Sequence, residues 1–315
     1  MRGLATTSSI LSLTLVSCGG STTESGDTAP PEMEHVFTFA QITDTHIYAT
    51  TGENVDRTAA VVEWLNRERE ARGIELTIIT GDIAWNDGLP VCAELFSRLE
   101  MDWVPIIGDN EGHSDDEGYY WDVFAPHYEH LDETLDDWRL AIAPIWDVER
   151  DEERFLVNFH FDYKGVRFVG LDWASRDPDP IEGEMGHLHD YSGGTLEFLG
   201  EALEGVEAAQ ENSVVMMTHI PMIVSPGGFD LNEMDTLLEI FNPIASKLAL
   251  NLAGHFHANA ELFDQADGAY TSLITDAVWD DEAAVRLIHV HSNGIEVEFE
   301  HELIDVDWEE ILAEL

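Results

Sequence analysis

Residues 36–46 read Val-Phe-Thr-Phe-Ala-Gln-Ile-Thr-Asp-Thr-His. Val36–Thr43 is an apolar, β-rich run that breaks off into Asp44-Thr45-His46. Then the periodicity changes. Ala60, Val61, Trp64 and Leu65 recur at helical spacing and predict an amphipathic helix over Asp56–Arg72. Leu76–Thr80 returns to a near-continuous apolar run, as expected of a strand covered on both faces. Strand, helix, strand in that order predicts a βαβ unit.

The same alternation continues outward from this unit. Leu89–Met101 predicts a helix and Trp103–Ile107 a strand. Phe155–Phe161 and Val166–Trp173 flank Lys164-Gly165 and predict a hairpin. Thr195–Ala209 and Glu233–Lys247 predict helices, Ser213–Thr218 and Leu248–Leu252 strands. Ala284–Val290 and Ile295–Glu302 predict a second hairpin around Ser292-Asn293-Gly294, and Val306–Leu315 a docking helix. Asp109–Glu153 is polar, aromatic and irregular, and reads as inserted loops or short helices near a site. The expected class is α/β with mixed β-structure, two sheets packed as a sandwich with helices outside. Ligands in open α/β sheets bind beyond the C-terminal ends of strands.

The chain carries 64 Asp and Glu against 14 Lys and Arg, a formal charge of −50. Such a surface repels phosphate backbones and anionic headgroups, which excludes general nucleic-acid binding and docking on lipid through a basic patch. Residues 1–17 read as a secretory signal: Arg2 is followed by a short apolar stretch, Ile10 to Val16, too short to span a bilayer permanently. Leu15-Val16-Ser17-Cys18-Gly19 resembles a bacterial lipobox, which implies lipidation at Cys18 and an exported protein anchored at the cell envelope. A polar linker over 18–34 and a folded domain over 35–315 complete the expected organisation. With Cys18 lipidated, Cys92 has no partner for a disulfide and is expected as a small core residue.

Five strands end in polar clusters: Asp44-Thr45-His46, Gly81-Asp82, Gly108-Asp109-Asn110-Glu111, His219 and Gly254-His255-Phe256-His257. Core packing does not account for costly polar groups placed repeatedly just after apolar strands. Residues two apart in extended chain point the same way, so Asp44 and His46 can reach one ion together, and His255 and His257 form a similar pair. Imidazole with carboxylate suits Mn, Zn or Fe, and is too rich in nitrogen for Ca.

The order D-x-H, G-D, G-D-N-E, H, G-H-x-H resembles the calcineurin-like metallophosphoesterase superfamily, over roughly Val36–Glu302. The resemblance implies a four-layer α/β/β/α sandwich of two mixed sheets flanked by helices. It also implies a centre of two divalent or trivalent transition-metal ions (Mn, Zn or Fe). One ion would take Asp44, His46 and His257; the other Asn110, His219 and His255; Asp82 would bridge them. The implied reaction is hydrolysis of a phosphoric ester by in-line attack of metal-bound hydroxide.

The third motif departs from the family's Gly-Asn-His-Asp/Glu. Aligned on the glycine and the acid, Asp109 takes the ligand position and Asn110 the histidine position. Shifted by one, Asn110 is the ligand and Glu111 replaces the histidine that protonates the leaving group; the shift keeps the family's neutral amide ligand. His113 is a second candidate acid. A small phosphorylated substrate is the expected partner. The other readings are a nuclease of the same superfamily and a surface binding lipoprotein with a retained metal site. Asp172, His187 with His189, and Trp85 with Asn86 are lesser candidates for lining the site.

Overall fold

The computed structural model describes residues 8–9, 31–85, 87–113, 117–142, 144–148, 151–179, 181–206, 213–263, 270–280 and 283–314. Cys18, Asn86 and nearly all of the expected signal and linker lie outside the described residues.

The first part of the chain runs β1 (Ser8–Ser9), β2 (Glu34–Ile42), α1 (Glu53–Arg72), β3 (Ile74–Thr80), α2 (Gly88–Phe96), β4 (Asp102–Ile106), α3 (Asp109–His113) and α4 (Glu117–Thr134). The middle runs β5 (Asp136–Ala141), β6 (Pro144–Asp147), β7 (Glu152–Phe155), β8 (Asn158–Tyr163), β9 (Val166–Leu171), α5 (Thr195–Ala202) and β10 (Ser213–Thr218). The last part runs α6 (Leu231–Phe241), β11 (Leu248–Ala253), β12 (Ala260–Phe263), β13 (Thr271–Ile274), β14 (Ala283–Ser292), β15 (Val297–Val306) and α7 (Trp308–Glu314).

These strands form two large mixed sheets, in the orders β1-β15-β14-β2-β3-β4 and β12-β13-β11-β10-β9-β8-β5, with β6 and β7 as a separate pair. β2, β3 and β4 are parallel, and so are β9, β10, β11 and β13. Strand periodicity explains the unbroken apolar runs. In β10, Val215 and Met217 belong to the core between the sheets, whereas Val214 and Met216 belong to a second core with Leu237 and Phe241 of α6. Phe39 of β2 meets Phe168 of β9 edge-on across the sandwich, with ring centroids 5.3 Å apart. On the other sheet, α1 packs against β3, β14 and α7, so the C-terminal helix docks as expected. Cys92 is fully buried in α2. No helix among the described residues is long and apolar enough to cross a membrane.

Three expectations need correction. The irregular stretch 109–153 contains an 18-residue helix, α4, whose buried Tyr120, Phe124, Tyr128 and Leu131 lie on one face. Phe155 belongs to β7, so the β8–β9 hairpin starts only at Asn158. The helix expected to reach Lys247 stops at Phe241, because Pro243 cannot donate to the helical ladder and the chain tightens into a 3-10 turn over Asn242–Ile244.

Candidate metal centre

The parallel strands of both sheets deliver their C-terminal ends to one place. Beyond β2 and β11, the Oδ1 atom of Asp44 lies 3.4 Å from His46 Nε2 and 3.1 Å from His257 Nε2, and the two histidine nitrogens are 3.2 Å apart. Beyond β4, β10 and β11, the Oδ1 atom of Asp109 lies 2.9 Å from His219 Nε2 and 3.1 Å from His255 Nδ1. Asp82, beyond β3, stands between the two groups. Its Oδ2 is 3.6 Å from His46 Nε2 and its Oδ1 is 3.3 Å from His219 Nε2.

The backbone is bent to achieve this. Asp44, His46, Asp82, His255 and His257 all have φ between 45° and 69°, in the left-handed region. A non-glycine residue there costs on the order of 1–3 kcal/mol, so five in one place imply a strain concentrated where ligand atoms converge. Two glycines make room. A Cβ on Gly108 would stand 2.2 Å from Asp82 Oδ1, and one on Gly254 would stand 2.3 Å from Asp44 Oδ2.

Hydrogen bonds orient each donor. Thr43 Oγ1 donates to Asp44 Oδ2 at 2.6 Å and the His255 amide donates to the same oxygen, leaving Oδ1 to face the histidines. His219 Nδ1 pairs with the Thr80 carbonyl at 2.7 Å, which can only accept, so Nδ1 carries the proton and Nε2 offers a lone pair. That Nε2 is buried and faces only carboxylate oxygens, Asp109 Oδ1 at 2.9 Å and Asp82 Oδ1 at 3.3 Å. Burial opposes ionisation of Asp44 and Asp109, yet the facing histidines hold both carboxyls below the usual range. Two sets of carboxylate and imidazole atoms, the carboxylates and His219 buried and the other histidines half-buried, fit transition-metal ions.

The third motif is a one-turn helix rather than a strand end, and this decides what each residue faces. Asp109 stands with its Oδ1 against His219 and His255. Asn110 is directed at Asp82 instead. Its backbone amide donates to Oδ1 at 3.0 Å and its side-chain amide donates to Oδ2. Glu111 turns inward. Its Oε1 accepts from the Ala84 amide at 2.9 Å and its Oε2 from the Gly108 amide at 2.7 Å. Burial, then the nearby Asp82, push its carboxyl up to about 8. Glu111 therefore ties the β3 and β4 loops together. His113 ends α3, and its side chain lies outside the described residues.

Asp172 does not reach a ligand histidine. It is fully buried and its Oδ2 accepts from Arg176 at 2.7 Å and from the Val157 amide. His189 pairs with the Ala174 carbonyl and with His187, within a loop. Trp85 meets His46 edge-on, and Trp279, which sequence reasoning passed over, flanks both His46 and His257.

No curated protein matches the sequence. The fold is similar to that of a dimetal phosphatase from Danio rerio, with a TM-score of 0.57 at 14% identity over 84% of this chain and 99% of that one. It is also similar to a putative 5′-nucleotidase from Staphylococcus aureus, with a TM-score of 0.50 at 14% identity over 86% of this chain and 54% of that one. The family model for calcineurin-like phosphoesterases matches residues 37–259, so the chain belongs to that family of phosphoester hydrolases.

Proposed function

We propose that the chain hydrolyses a small phosphorylated substrate at a two-metal centre. The observation that carries this is Asp82, whose two carboxylate oxygens face separate groups of candidate ligands. Asp44, His46 and His257 would hold one ion, and Asp109, His219 and His255 the other. When bound, such ions neutralise a phosphate and supply a nucleophile at neutral pH.

The chain's own residues set what surrounds that chemistry. Thr43 and Thr80 fix the orientation of Asp44 and His219. Asn110 stands at the cavity beside Asp82, where its amide can donate a hydrogen bond to a phosphate or leaving-group oxygen but cannot give up a proton. The reading therefore favours esters with good leaving groups, which need little protonation. The charge of −50 argues for small substrates over nucleic acid. The lipobox resemblance supports a lipid-anchored protein outside the cytoplasm.

The test is hydrolysis of p-nitrophenyl phosphate after chelation and after return of Mn or Zn. Activity should vanish with the chelator and return with the ion. Undiminished turnover in the chelated protein would remove metals from the reaction.

A further inference from the structure

The candidate ligands form only one side of a cavity of about 530 Å³. Two further loops line it as well. In the first, Ala174 and Gly186 pair as an antiparallel bridge, and the Ser175 amide donates to the Met185 carbonyl at 3.1 Å. In the second, Val224 and Phe229 pair, and the Gly186 amide donates to the Gly228 carbonyl at 2.9 Å, tying the loops together. Gly227, at φ 76°, lies so close to the next segment that a Cβ would stand 2.8 Å from the Phe256 ring and 3.2 Å from His255 Nε2.

The loops so held present Met185 and Pro226, Phe256 joins them from between the candidate ligands His255 and His257, and Ile181 is exposed at the rim. Apart from the candidate ligands, the one charged residue lining the cavity is Glu184, and no Lys or Arg lines it among the described residues. A phosphate held at the ligand side leaves its organic group against these loops. An apolar group gains by leaving water there. A second anionic group would meet the like charge of Glu184, with no Lys or Arg among the described lining residues to offset it.

Building on the phosphoester reading, we infer that this cavity selects substrates whose organic group is apolar and carries no second negative charge. Met185, Pro226 and Phe256 supply the affinity and Glu184 the rejection. Phosphorylated carboxylic acids and nucleoside polyphosphates then bind poorly, and phosphates with apolar aryl or alkyl groups bind well.

The test is calorimetric binding of three phosphonates to the Mn-loaded full chain: methyl-, phenyl- and 2-carboxyethylphosphonate. They share the phosphate-like head and differ only in the tail. Phenylphosphonate should bind about tenfold or more tighter than methylphosphonate, given the ring area removed from water, and 2-carboxyethylphosphonate more weakly than either. Phe256→Ala should bring the phenyl-to-methyl ratio toward one. Glu184→Gln should narrow the gap for the carboxylated ligand, whereas Glu298→Gln, at the far end of the first sheet where His291 pairs with both His35 and Glu298, should not. Equal affinity for phenyl and methyl tails, or tightest binding of the carboxylate, overturns the inference while metal-dependent methylphosphonate binding leaves the phosphoester reading intact. Failure of all three to bind the metal-loaded chain overturns both.

Discussion

Gly108→Ala puts the geometry of the centre to a direct test. The added Cβ would stand 2.2 Å from Asp82 Oδ1 and 2.3 Å from the Asp82 backbone nitrogen. Restoring even a 3.0 Å separation moves Asp82 by about 0.8 Å. The carboxylate cannot simply rotate away, because Asn110 holds it through both its amides and its backbone is fixed at φ 49°. A misplacement near 1 Å costs on the order of 10²-fold in rate, and overpacking a buried site costs about 1–3 kcal/mol. The variant should therefore lose on the order of 10²-fold in kcat/KM for p-nitrophenyl phosphate, together with affinity for at least one ion. Gly200→Ala is the control, because it lies in α5 with no atom within 4 Å of the new Cβ. It should keep full activity and gain about 0.5–1 kcal/mol of stability. If Gly108→Ala stays within threefold of the parent in kcat/KM with unchanged metal affinity, the tight packing of Gly108 on Asp82 has no functional weight.

Other outcomes follow from single contacts. Asn110→His places a titratable group beside Asp82 and should raise the rate on alkyl phosphates relative to aryl phosphates, by about 10²-fold at most; an unchanged ratio would remove leaving-group protonation from this position. Arg176→Ala removes the cation 2.7 Å from the fully buried Asp172 and should cost about 3–5 kcal/mol in urea unfolding, while a loss under 1 kcal/mol would mean that Asp172 is held by its other contacts. Cys18→Ser should abolish incorporation of labelled fatty acid and release the protein from the membrane fraction; retained label would place the acyl chain elsewhere.

The sandwich was legible because its strands announce themselves. β2, β3, β10 and β11 are largely apolar and buried on both faces, as strands between a second sheet and a helix layer must be, and each breaks off at a polar cluster. The histidines and aspartates were legible for the same reason. The third motif was harder. Its register was judged as a strand end, where a one-residue shift exchanges faces, but Asp109–His113 is a helical turn. Successive residues there diverge by about 100°, so Asp109, Asn110 and Glu111 point at the second ligand group, at Asp82 and at the Ala84 and Gly108 amides respectively. α4 was missed although its buried residues recur at helical spacing, because Asp, Glu and Pro126 between them mask the pattern. The placement of Met185 and Pro226 at the cavity depends on two loops tied by backbone hydrogen bonds, which carry no side-chain signature.

The central claim is that this chain assembles two adjacent metal sites sharing Asp82. The most direct measurement is the metal content of the purified full chain by mass spectrometry of its ions, beside Asp44→Ala and His219→Ala. The account predicts two ions per chain in the parent and a reduced number in each variant, with Asp82→Asn weakening both. Two ions retained in all three variants, or none bound by the parent after incubation with Mn, Zn or Fe, would contradict it.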